Sequence, residues 1–139
     1  MNIKFCQIRF GNTKKIHYAQ NHKIEERFDD NGILDRRIEY DALGRDIDSK
    51  QFDNKGNIIS HLHKDYYEKD SEKGYIETYK DTNQEYTRKT YTKFEDSIKR
   101  NVDEYTSKSN PKASYINEFI YDLSGKLLRI LNNKKEINL

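Results

Sequence analysis

One spacing limits what this chain can fold into. The pattern aromatic, Asp, any, any, Gly occurs as FDDNG at 28–32, YDALG at 40–44, FDNKG at 52–56 and YDLSG at 121–125, and Phe28, Tyr40 and Phe52 stand twelve residues apart twice in succession. Twelve residues hold one strand of about seven or eight and a reversal of about four or five, the ordinary dimensions of a hairpin repeat. Each residue type suits a corner. Asp accepts bonds from backbone N–H groups ahead of it, Gly supplies the positive φ that closes such reversals, and the aromatic ends the strand on a packed face. Between corners, the alternation in GILDRRIEY puts Leu34, Arg36, Ile38 and Tyr40 on one side of a strand and Ile33, Asp35, Arg37 and Glu39 on the other. In an antiparallel meander every second corner returns to the same edge, so Phe28 and Phe52 are expected on one edge and Tyr40 on the opposite one.

Strand-like alternation continues through NIISHLHKDYY, YIETYK, EYTRKTYTKF, IKRNVDEYT, SYINEFIYD and KLLRIL, while the polar stretches 68–74, 81–84 and 107–113 read as loops. The total comes to about ten strands. Phe94, Ile98, Val102 and Tyr105 have helical spacing, which leaves a short helix over 94–106 as an alternative. A chain of 139 residues suits one core, so a single β domain over 1–139 is expected, with the repeats at 28–56 and 121–131. With 36% charged residues the sheet cannot be buried on both faces. The expected fold class is therefore mainly β: an antiparallel meander curled into a half-barrel or a two-layer sandwich, greasy on one side and wet on the other.

The N-terminal MNIKFCQIRFGNTKK never builds the apolar run of a signal peptide or membrane span, and the single Cys6, expected as a small buried strand residue, fits a reducing cytoplasm. His61 and His63 share a strand face but lack an identifiable third ligand, so no metal, no cofactor and no catalytic residue is expected. Charge is segregated. Residues 1–24 are net +5 and residues 25–54 net −5, within a total of +2. Asp29, Asp30, Asp41, Asp46, Asp48 and Asp53 lie in or beside the corners and are the expected contacts for a basic partner. Tyrosines interleaved with Lys and Arg in EYTRKTYTK would suit a single-stranded nucleic acid, but a net charge of +2 is a weak footprint, so nucleic acid is not the expected partner.

The corners YDALGR and YDLSGKL resemble the YD repeats of Rhs-type proteins, whose units read Tyr-Asp, two variable residues, Gly, Arg or Lys, then an apolar residue. A small free-standing chain with such repeats resembles the immunity proteins encoded beside polymorphic toxins of contact-dependent and Rhs systems. The resemblance implies a cytoplasmic, non-catalytic antitoxin whose partner is a cognate toxin domain with a basic surface, for example a nuclease. A carbohydrate- or surface-binding β module derived from a YD-repeat protein, and a small RNA-binding protein, are the alternatives. Oligomeric state is left open by the sequence.

Overall fold

The structure, a computed structural model, describes residues 2–9 and 12–138, with side chains from Thr13 onward. The expectation for the Cys6 side chain, and the cations Lys4 and Arg9, lie outside the described side chains. Among the described residues twelve strands follow in chain order: β1 (Asn2–Arg9), β2 (Asn12–Ala19), β3 (His22–Phe28), β4 (Leu34–Tyr40), β5 (Asp46–Phe52), β6 (Ile58–Lys69), β7 (Glu72–Asp81), β8 (Glu85–Glu95), β9 (Ile98–Ser107), β10 (Tyr115–Asp122), β11 (Leu127–Asn132) and β12 (Lys135–Ile137). Each strand pairs with its sequence neighbours in one mainly antiparallel sheet, with β1 and β12 at its two ends. Of the two arrangements expected, the sandwich needs a second sheet, whereas the described strands form a single one. The contacts divide the chain into two compact units: Met1–Lys64 with Tyr79–Thr82, and Asp65–Thr78 with Asn83–Leu139.

The four corners are built alike. After β3, Asp29 Oδ1 accepts the amides of Asn31 and Ile33, both at 2.9 Å, and the Gly32 amide donates to the Asp29 carbonyl at 3.0 Å. Asp41, Asp53 and Asp122 repeat this arrangement after β4, β5 and β10, with Oδ1 to amide distances of 2.8–3.0 Å. The closing glycines Gly32, Gly44, Gly56 and Gly125 have φ of +76, +79, +84 and +93. At Gly56 no atom lies within 4 Å of where a Cβ would stand. Gly56→Val therefore isolates the cost of the left-handed backbone, and a loss of about 2 kcal/mol is expected in urea denaturation. Gly56→Asn, which tolerates that region better, should lose less.

Each corner also carries a feature that alternation alone does not show. One residue just beyond it is skipped in the pairing: Phe28 faces Leu34 while Arg27 faces Arg36, and the same step recurs at Tyr40 with Asp46, Phe52 with Ile58 and Tyr121 with Leu127. Asp35, Ile47, Ile59 and Leu128 are the extra residues of these β-bulges. The bulge at Asp35 corrects the expected strand face, because Leu34 joins Phe28 on the side opposite Arg36 and Ile38.

One alternative is set aside and one expectation is overturned. Residues 94–106 are not helical: Phe94 closes on Lys99 across a hairpin turn in which Asp96 has φ of +48, so pairing partners override the local helical spacing. Residues 68–74 are not a loop, because β6 and β7 run up to a two-residue turn at Asp70 and Ser71, with φ of +52 and +66. Similar turns at Gln20–Asn21 and Asn133–Lys134 contain no glycine, so the sequence marks them less sharply than the Asp/Gly corners.

The expected greasy face is divided in the first unit and short in the second. Among the described residues the buried apolar side chains are Ile24, Ile38, Val102, Ile120 and Leu131, and no large side chain is less than 2% exposed. In the first unit, Ile24 lies in register with His17 and Glu39 on one face, while Ile38 faces Glu25 and Ser49 on the other. In the second unit, Val102, Ile120 and Leu131 share one face of β9, β10 and β11.

Candidate binding surface

The six expected contact residues do not form one patch. The corners after β3 and β5 return to one edge, placing Asp29, Asp30 and Asp53 there. Asp41 lies at the opposite edge, about 23 Å away along a seven-residue strand. Asp46 and Asp48 fall on opposite faces of β5, because the bulge at Ile47 lies between them. Most of these carboxylates already have local partners. Besides the corner amides, Asp41 Oδ2 accepts the Arg45 guanidinium at 2.7 Å, Asp53 Oδ2 accepts Asn57 Nδ2 at 3.1 Å, and Asp46 lies 3.3 Å from Lys64 Nζ. Asp30 is exposed in its corner.

The register gathers the chain's four histidines on one face of the first unit, each against a carboxylate. His17 Nε2 lies 2.5 Å from Glu26 and His22 Nδ1 2.8 Å from Glu39, while His61 Nε2 and His63 Nδ1 approach the same Asp48 oxygen at 2.7 and 3.1 Å. The shared face of His61 and His63 was legible; their common carboxylate, thirteen and fifteen residues earlier, required the register. Among the described residues no group of three or more His, Cys, Asp or Glu is arranged to hold a metal ion. On the other face, buried Glu25 is gripped by Lys14 at 2.6 Å and Arg27 at 2.8 Å.

In the second unit, register brings together residues that sequence reasoning missed. Tyr86, Tyr105 and Tyr115 line up across β8, β9 and β10 with ring centroids 5.1 and 5.2 Å apart. Beside them Arg88 holds Asp103 through two bonds of 2.8 Å. The only available signal was strand parity on either side of the turn at 96–97, and that turn contains neither Gly nor Pro.

Several carboxyls are more acidic than usual in the folded chain. Burial pushes Glu25 up, but hydrogen bonds from Lys14 and Arg27 outweigh it, and burial of Asp48 is likewise outweighed by His61 and His63. Asp41 is lowered by Arg45, Asp53 by the Asn57 amide and Asp122 by Ser124. A depressed folded pKa contributes stability that is present above the ordinary carboxyl values of 3.8 and 4.5 and is lost as pH falls through the lower folded value. Urea midpoints should therefore drop between about pH 6 and about pH 3. An unchanged midpoint would show that these bonds do not persist in solution.

No helix among the described residues is long and apolar enough to cross a membrane. Comparison with protein-family models, with curated proteins and with solved structures found no match to this chain.

Proposed function

We propose that the chain is an immunity protein that binds a cognate bacterial toxin domain in the cytoplasm and blocks it by occupying its surface, without chemistry of its own. The carrying observation is that the motif positions of four separate corners, Asp29, Asp41, Asp53 and Asp122, make the same hydrogen bonds. This supports reading them as one YD-type repeat, and the immunity reading follows from that resemblance. Asp29, Asp30 and Asp53 share an edge of the first unit, two strands or about 10 Å between corners, and that acidic edge suits a basic toxin surface such as the phosphate-binding cleft of a nuclease.

Co-expression with the toxin encoded by the adjacent gene tests the reading: cells should grow and the two chains should co-purify. Continued killing by an active toxin, with no complex recovered, overturns it. Asp30→Ala should weaken the complex about tenfold or more and leave thermal melting unchanged. Asp41→Ala, which removes the acceptor for the amides of Leu43 and Arg45 at the opposite edge, should lower melting without changing the affinity of the folded protein.

A further inference from the structure

The second unit carries a surface that the acidic edge leaves unused. Phe94, Lys99 and Tyr121 stand in one row across β8, β9 and β10, and Thr92, Asn101 and Phe119 form the next row on the same face. Phe94 is 54% exposed and Phe119 37%. Beside them is a groove of about 370 Å³, lined in part by Lys73, Tyr75, Thr90, Thr92, Asn101 and Phe119. Thr92 donates to Asn101 Oδ1 at 3.0 Å and Asn132 to Asn117 Oδ1 at 2.5 Å, which directs the amide N–H groups of Asn101 and Asn117 to other acceptors.

Cations outnumber carboxylates on this face, where Glu77 accepts the Tyr86 hydroxyl at 3.0 Å. Lys73 lines the groove and Lys135 faces Asn132 on the same side, neither with an ion pair among the described residues, and Lys99 meets only the Tyr121 ring at 5.9 Å. Asp103, in the next row with Thr90 and Asn117, is neutralised by Arg88 and also accepts the Tyr115 hydroxyl at 3.5 Å.

We propose that this face binds a single-stranded nucleic acid. The exposed rings stack on bases, the amides meet base edges, and the lysines meet phosphates. A protein would also match the rings, but three unmatched ammonium groups around them favour a polyanion. The near-neutral total charge concealed the site, because the cations that form it are far apart in sequence and are brought together by β-pairing.

Fluorescence anisotropy with a labelled oligouridylate of about twelve nucleotides tests this. Binding should saturate and weaken about tenfold between about 50 and about 150 mM salt, the slope expected for some three phosphate contacts. Phe119→Ala and Lys99→Glu should each weaken it about tenfold, with folding checked by circular dichroism. Lys55→Glu, the same charge change on an exposed corner of the first unit, should stay within about twofold. Three results overturn the proposal: no saturable binding at about 100 µM protein; equal losses from Lys55→Glu and Lys99→Glu, which would mean diffuse attraction; or loss of a protein partner in Phe119→Ala with oligonucleotide binding intact.

Discussion

Gly74→Ala is expected to lower the stability of the second unit by about 3 kcal/mol or more, and its melting temperature by about 10 °C. A Cβ at this position would stand 2.1 Å from the Thr90 carbonyl oxygen, 2.6 Å from Tyr91 Cβ and 2.7 Å from Tyr91 Cα. Two of these atoms are backbone, so no side-chain rotation relieves the overlap. β7 must instead move away from β8, disturbing the 3.1 Å bond from the Phe94 amide to the Ser71 carbonyl and the Lys89–Glu72 ion pair at 3.6 Å. The contrast with Gly56 is informative: there the cost is backbone conformation in open space, here it is collision. A Gly74→Ala variant that melts within about 1 °C of the parent would show that β7 and β8 are not packed this closely.

The second large effect is expected at Ile120. Its side chain is 3% exposed and shares a face with Val102 and Leu131, so Ile120→Ala removes buried methyl groups and leaves a cavity, at about 3 kcal/mol. Leu123, 68% exposed in the corner after β10, is the internal control, and Leu123→Ala should stay within about 0.5 kcal/mol. Few apolar side chains are buried among the described residues, so each carries a large share of the stability. Equal urea midpoints for the two variants would mean that the packed face of β9, β10 and β11 does not form.

The corners were legible because each one is local: aromatic, Asp and Gly lie within five residues, and the bonds they make run from Asp29 only as far as Ile33. Glycine-free turns such as Asp70–Ser71 were not, since their residues also occur in mid-strand. Between 94 and 106 local spacing allowed a helix as well as a strand. There, Tyr105 stacks on Tyr115 and Val102 packs on the opposite face, an arrangement that depends on strands many residues apart. The expected acidic contact set mixed two kinds of residue. Asp29, Asp41 and Asp53 build turns, while Asp48 is bonded by histidines from the next strand. The bulges decide which face Asp46 and Leu34 occupy, and only the register reveals them.

Amide hydrogen exchange measured residue by residue tests the central claim most directly. If the repeated Asp/Gly corners pace this polar chain into a meander, the amides of Ile33, Arg45, Asn57 and Lys126, each held by an aspartate Oδ1, will exchange slowly although they lie in exposed corners. An Asp→Ala change at one corner will speed its own amide most. Exchange of all four at the rate of an unstructured chain would contradict the account.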